Sequence, residues 1–486
     1  MKKNALSMAV MLLLMAPFAL ISQDSGGVPA GEAARNWLAA KQMPPVYRLA
    51  GPADTIADGR QTLAYRFGLY PQGYVVVSAS YLLPPVIAYS FEAPPGLPGQ
   101  EANPLYSMLI HDLPARLAYY SEAGKEEATR WQQAWSRLLQ GESPNRHFEQ
   151  WPPPGSTSTG GWLETNWSQS PPWNALCPLD EVTGLRSVAG CPAVALAMII
   201  HYQKNLNDTR FTDDDDYYHS YAGRQYWIDD DHEEMDFPAF PRLNGYLDSI
   251  AAKFPLYIPI TAEEAAALIF ACGVAARQVY TSNVSGTFGV TQAYDAYQRF
   301  GYTDAMLVYE SDTSFYTWMK QNMIDGMPAH LALLVNTGQG GHNVVADGYN
   351  TDDFYHLNFG WGGSYNGWYL LPEGIPYNLT IVEGAVMDIG VSHVGINESA
   401  GGDEISVALY PNPAAGRLSI VLEIPCHMQA IAEIRDMNGR LAGEVYRGQL
   451  QKGRQRLEWT GSLAPGSYRL IVQGGNSMKQ AGFIIR

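Results

Sequence analysis

Gly190-Cys191-Pro192-Ala193-Val194-Ala195-Leu196-Ala197-Met198-Ile199-Ile200-His201 opens on a glycine turn and continues as an apolar, alanine-rich helix that starts at a cysteine. Pro192 suits the first helical position, where a missing amide hydrogen costs nothing. A thiol placed there faces unsatisfied backbone N–H groups and the positive end of the helix dipole, and both favour thiolate over thiol. The same residues also fit a structural cysteine buried at the start of a core helix, so this stretch alone leaves both readings open.

Gly340-Gly341-His342-Asn343-Val344-Val345-Ala346-Asp347-Gly348-Tyr349 favours the chemical one. It is an apolar strand pattern whose glycines let the chain bend and leave the His342 ring at a strand end, where it can serve as the base for Cys191. Their wide separation in sequence is no obstacle, because a cysteine and its histidine need only be neighbours in space. The other histidines, among them His201, His330 and His356, take a structural reading. One strand further on, Asn358 can accept from an imidazole N–H and fix the ring, and Trp361 can shield that bond from water. Upstream, in Asn166-Trp167-Ser168-Gln169, the Gln169 amide can join the Cys191 N–H in an oxyanion hole, a donor typically worth about 3 kcal/mol in the transition state.

The four cysteines, Cys177, Cys191, Cys272 and Cys426, lack the spacing of a disulfide scaffold or a zinc site. The acidic runs Asp213 to Asp216 and Asp229 to Glu234 match no calcium loop and read as solvated turns. A formal net charge of -17 excludes a general nucleic-acid binder. With 46% hydrophobic residues, 30 Tyr and 12 Trp in 486 residues, the chain has the apolar area for several folded units.

Met1-Lys2-Lys3, an apolar run from Ala5 to Ile21 and then Ser22-Gln23-Asp24 have the layout of a signal peptide over 1–22, too short for a stable membrane span. Residues 23–150 read as a small α+β unit: a helix from Ala33 to Lys41, a hairpin from Leu63–Tyr70 and Gly73–Ser78, and a helix-rich stretch from Leu105 to Leu139. The run 151–161 is too dense in proline, glycine and hydroxyl residues for regular structure, and reads as a linker and cleavage zone. A large unit follows over 162–391. A polar stretch at 392–405 then leads to a small β-sandwich over 406–486, with a hairpin-like Asn438-Gly439.

Taken in order, the Asn166 to Gln169 loop, Gly190-Cys191 with its helix, Gly341-His342 and the Asn358-Phe359-Gly360-Trp361-Gly362-Gly363 run resemble the streptopain-like cysteine peptidases of the papain-like clan. The resemblance implies a papain-like α+β fold with a helical side holding the cysteine and a sheet side holding the histidine. It also implies endopeptidase activity on protein or peptide substrates without a cofactor. The family's nucleophile falls on Cys191, its base on His342, its oxyanion glutamine on Gln169, and its orienting and shielding positions on Asn358 and Trp361. Two positions depart from the family: Pro192 replaces a Val-like residue, and Phe359 replaces a tryptophan and so removes an indole N–H. The stretch from Gly73 to Ser90 resembles the inhibitory propeptide of these enzymes, which implies an N-terminal domain that covers the active site until the 151–161 linker is cut. Leu409-Tyr410-Pro411-Asn412-Pro413-Ala414 looks like the start of a type IX secretion sorting domain, which implies the secretion machinery as a partner and a secreted or surface location. A peptidase-derived binding protein without turnover, and a Cys-His amidase or transferase on the same fold, are the alternatives.

Overall fold

The computed structural model describes residues 28–485 except 42–45, 60, 95–103, 123–124, 143–147, 335–340, 376–379, 391–404, 411–413, 415, 425, 437–439 and 476. The expected leader, residues 392–404, the Asn438-Gly439 turn and the glycine-rich approach to His342 before Gly341 lie outside the described residues.

The Cys191–Gln203 helix carries no polar face: every residue from Pro192 to Ile200 is buried. An all-round apolar helix must be enclosed, and here the helices Phe240–Lys253, Ala262–Ala275 and Val290–Arg299 enclose it together with one face of a sheet through Ala332, Val345 and Val386. Thr261 and Glu264 cap the Ala262–Ala275 helix reciprocally: the Glu264 N–H donates to the Thr261 hydroxyl at 3.2 Å and the Thr261 N–H to the Glu264 carboxylate at 2.7 Å. Such a cap typically contributes about 1 kcal/mol. The α+β architecture expected of the catalytic unit is the one observed.

The sheet is antiparallel and mixes strands from both sides of the 151–161 segment. Its core runs Val382–Met387, Ala329–Leu334, Gly341–Asn350, Tyr355–Asn358 and Gly367–Tyr369 in hydrogen-bonded order. The N-terminal unit then continues the same sheet, because Val86–Ser90 pairs with Gly367–Tyr369 in the register Trp368↔Tyr89 and Tyr369↔Ala88. The far face of the catalytic strands, with Leu331, Leu333, Val344 and Ala346, shares one core with Leu105, Leu109 and Leu113 of the N-terminal helix Pro104–Glu122. Tyr89 packs against Trp37 at 4.8 Å and Phe354 at 5.2 Å, and the Tyr74 and Tyr369 hydroxyls meet at 2.5 Å. The boundary expected near residue 150 is therefore a break in the chain's composition but not in its sheet or its core.

The segment read as a linker is pinned at both ends. Gln150–Trp151 pairs with Tyr349 and Asn350, Trp151 stacks on Tyr349 at 6.3 Å, and the Trp162 N–H donates to the Asp347 carbonyl at 2.7 Å. Only its middle, Pro153 to Ser156 with Ser158, is exposed. Glu92 of the N-terminal unit presses on this strap, with a carboxylate oxygen 3.0 Å from where a Cβ on Gly160 would stand. Burial raises the Glu92 pKa above 4.5, against the lowering influence of His356. A carboxyl whose folded pKa is raised gives its full stabilisation below the unfolded value and loses it as pH rises through the folded one. Glu92→Gln is therefore expected to raise the urea midpoint at pH 7, with the gain vanishing below about pH 4 where both side chains are neutral. Tryptophan-monitored unfolding at the two pH values checks this.

The C-terminal unit is a β-sandwich. A three-stranded sheet, Ser406–Tyr410, Arg417–Ile424 and Gly453–Thr460, faces a four-stranded sheet of Leu441–Leu450, Met428–Asp436, Gly466–Gly474 and Ser477–Ile485, around Leu418, Ile420, Ile434, Leu470 and Phe483. The acidic runs are engaged locally: Asp215 pairs with Arg299 at 2.6 Å, and Asp231 accepts from the Trp227 N–H at 2.6 Å. Among the described residues no three His, Cys, Asp or Glu side chains gather as metal ligands.

Candidate active site

The helix begins at Cys191 itself, one residue earlier than the proline suggested, with Gly190 as its cap at φ 83° and ψ 132°. That backbone conformation suits glycine, and space demands it too: a Cβ there would stand 2.6 Å from Oε1 of the fully buried Gln278. Gln278 in turn donates to the Ala189 carbonyl at 2.7 Å. The turn ahead of the cysteine is thus held from below. Among the described cysteines all are free, Cys177 and Cys272 are buried, and Cys191 keeps some exposed surface.

The start of the Gly341–Asn350 strand meets this helix end. Burial pushes the Cys191 thiol up, but the charge of His342 and hydrogen bonds from His342 and Asn343 outweigh it and hold the pKa below 9.0. Burial pulls His342 down, and the charge and hydrogen bond of Cys191, with the Phe359 carbonyl, raise it above 6.5. The two shifts belong to one coupled pair, in which each group favours the charged form of the other. The Asn343 N–H donates to Cys191 Sγ at 3.4 Å.

The ring of His342 is fixed by Phe359 and not by Asn358. His342 Nε2 donates to the Phe359 carbonyl at 3.2 Å, which leaves Nδ1 for the sulfur, and the Phe359 ring lies nearly parallel to the imidazole at 5.9 Å and 18°. Asn358 is fully buried and turned elsewhere: its Nδ2 donates to the Thr165 carbonyl at 2.9 Å and its Oδ1 accepts from the Gly360 N–H at 3.0 Å. The expected Asn358 to His342 bond is thus absent, because the amide is spent on clamping the loop that leads to Gln169. Trp361 packs edge-on against Tyr365 at 5.9 Å, its buried indole N–H without a partner among the described residues, and with Asn358 turned elsewhere there is no Asn-to-imidazole bond for it to shield.

Gln169 is half-buried. Its carbonyl accepts from the Ala189 N–H at 2.9 Å, tying the loop to the turn before Cys191, and its side-chain amide makes no hydrogen bond among the described residues. The Cys191 N–H belongs to the first helical turn, where no preceding carbonyl can receive it. An unengaged amide and an unengaged N–H on joined segments beside a thiolate suit an acyl carbon whose oxygen gains charge. The sequence reading missed the Phe359 carbonyl, which has no side-chain signature, and Asn343, which stood in the quoted motif as an ordinary strand residue.

Residues 167–369 match the family model described as Peptidase C10 family, and residues 408–486 match the Secretion system C-terminal sorting domain. The chain is 25% identical over 210 residues to the thiol protease/hemagglutinin PrtT of Porphyromonas gingivalis, a span of 41% of this chain and 22% of that protein. It is similar in structure to a fragment of Prevotella intermedia prointerpain A, with TM-score 0.45, 21% identity and coverage of 69% of this chain and 98% of the other. The active wild-type interpain A cysteine protease of the same organism gives TM-score 0.35, 23% identity and coverage of 47% and 93%. The chain thus carries a domain of the Peptidase C10, or streptopain, family of cysteine peptidases, followed by a sorting domain that marks it as secreted or cell-surface.

Proposed function

We propose that the chain is a cysteine endopeptidase, exported as a zymogen. The observation that carries this reading is the Cys191 and His342 pair, with one pKa held down and the other raised. Cys191 Sγ adds to the peptide carbonyl carbon, and the oxygen takes the electron pair while facing the Cys191 N–H and the Gln169 amide. The carbonyl re-forms as the C–N bond breaks, and His342 gives its proton to the leaving amine. Neutral His342 then takes a proton from water, which attacks the thioester. The acid product leaves and the thiolate returns. In this scheme Asn358 holds the Gln169 loop through Thr165, and Trp361 packs against Tyr365.

The N-terminal domain is read as the intramolecular inhibitor, by its resemblance to the propeptides of these enzymes and its seat along the catalytic sheet. Among the described residues it makes no hydrogen bond to Cys191 or His342, so inhibition would act through residues outside this set or through the shape of the cleft. The exposed Pro153 to Ser156 stretch is the natural place for the maturing cut.

The test uses residues 23–486 and a Cys191→Ala twin under reducing conditions. The expected result is shortening of the chain and hydrolysis of an unfolded protein in the wild type alone, both abolished by a thiol alkylator. Equal inertness of the two proteins, even after an added protease has cut the strap, would overturn the peptidase reading in favour of a binding protein.

A further inference from the structure

We infer that His330, a buried histidine on the strand beside His342, is a positioning residue for Cys191 that acts by fixing the side-chain amide of Asn343. The inference rests on the reading of Cys191 as nucleophile.

His330 is fully buried on the Ala329–Leu334 strand. Its Nε2 lies 2.7 Å from Asn343 Oδ1 and its Nδ1 lies 3.3 Å from the Tyr297 hydroxyl. An amide oxygen only accepts, so Nε2 carries the hydrogen, and Nδ1 then accepts from the Tyr297 O–H. With Oδ1 taken by His330, the end of the Asn343 amide left for the sulfur is the NH2. The Asn343 backbone N–H donates to Cys191 Sγ at 3.4 Å, and its side chain also acts to lower the Cys191 pKa. Both favour thiolate.

In the neutral ring Nε2–H serves Asn343 while the Nδ1 lone pair takes the Tyr297 hydroxyl, so both ring nitrogens are satisfied without a charge. Burial holds the His330 pKa down to about 4, against the raising effect of Asn343. Tyr297, on the Val290–Arg299 helix, packs against the ring, and Tyr302 and Cys272 lie beside Tyr297; burial raises all three, so they keep their protons. The titratable neighbour of Asn343 along its strand is His342, whose pKa Cys191 raises. Without His330 the Asn343 amide is free to flip and to set its oxygen lone pairs against the sulfur.

The experiment is the pH dependence of iodoacetamide alkylation at Cys191, followed by mass, in the full chain with His330→Leu, His330→Gln and Asn343→Ala, each with a thermal unfolding curve. His330→Leu removes the donor at similar volume, and His330→Gln restores one that can reach Asn343 Oδ1. The expected result is an alkylation midpoint raised by about one pH unit in His330→Leu and in Asn343→Ala, and recovered in His330→Gln. Asn343 is half-buried at the strand end, so its variant gives an answer even if His330→Leu unfolds. A wild-type midpoint well below 9 that is unmoved in Asn343→Ala, or moved equally in His330→Gln and His330→Leu, would overturn the inference while leaving the nucleophile reading intact. A wild-type midpoint near the ordinary thiol value would overturn that reading, and the inference with it.

Discussion

Replacing His342 by alanine is expected to lower kcat/KM on an unfolded protein substrate by about 10²–10⁴ at neutral pH, the usual contribution of a positioned acid and base. Its second effect is on the sulfur. Among the influences on Cys191, burial raises the pKa and the His342 charge is the largest that lowers it. With the imidazole gone, the Asn343 donors and the helix N-terminus are left to oppose burial, so the alkylation midpoint moves upward. In the wild type, acid protonates the thiolate and activity falls as pH drops through the lowered Cys191 value. Base strips the imidazolium, the acid for the leaving amine, and activity falls again as pH rises through the raised His342 value. The profile is a bell whose limbs belong to the pair, and in His342→Ala the alkaline limb attributable to the imidazolium disappears. A profile of kcat/KM against pH, with alkylation rates alongside, checks both parts. An unchanged midpoint would mean that the imidazole does not touch the sulfur in solution.

Gly190→Ala is expected to destabilise the protein by about 2–6 kcal/mol and to cost at least about tenfold in kcat/KM. Two physical causes add. At φ 83° an L side chain is strained, at about 1–3 kcal/mol. The new methyl would also stand 2.6 Å from Gln278 Oε1 and 2.9 Å from its Cδ and Nε2, and overpacking of this kind costs about 1–3 kcal/mol. Gln278 cannot easily yield, because it is fully buried and bound to the Ala189 carbonyl. The activity loss follows because the backbone that moves carries both Cys191 Sγ and the Cys191 N–H, and misplacement near 1 Å can cost about a hundredfold. Urea unfolding and kinetics on Gly190→Ala, Gln278→Ala and the double variant separate the causes. Removing Gln278 should recover the clash but not the strain.

The approach of Cys191 and His342 was legible because its signals are local. A glycine, a cysteine and an apolar run specify a helix N-terminus, and a histidine before an apolar strand specifies a strand end. The sandwich strands were legible for the same reason, through their alternation. What was not legible depends on where a residue's partner comes from. Asn358 has the right type and place for orienting an imidazole, but the Phe359 carbonyl does that work, and backbone acceptors carry no mark in a sequence. His330 reads as one more core histidine until Asn343 and Tyr297 stand on either side of it. The N-terminal unit reads as a separate domain because composition changes at 151–161, whereas the pairing of Tyr89 with Trp368 joins residues far apart along the chain. Periodicity records which face of a strand is apolar but not which strand lies beside it.

The continuous sheet has a consequence for timing. A cut at Pro153 to Ser156 severs the chain but none of the pairing between Val86–Ser90 and Gly367–Tyr369, nor the core shared with the Pro104–Glu122 helix. The two fragments are held by what held them before, and only the tether is lost. A tether of this kind supplies an effective concentration in the millimolar range, and its loss turns a unimolecular docking into a bimolecular one. Departure of the N-terminal fragment after such a cut thereby becomes a matter of dilution, disfavoured where the protein is concentrated and favoured where it is dilute. What remains is a bare sheet edge at Gly367–Tyr369, an invitation to any extended chain with its hydrogen bonds unmet.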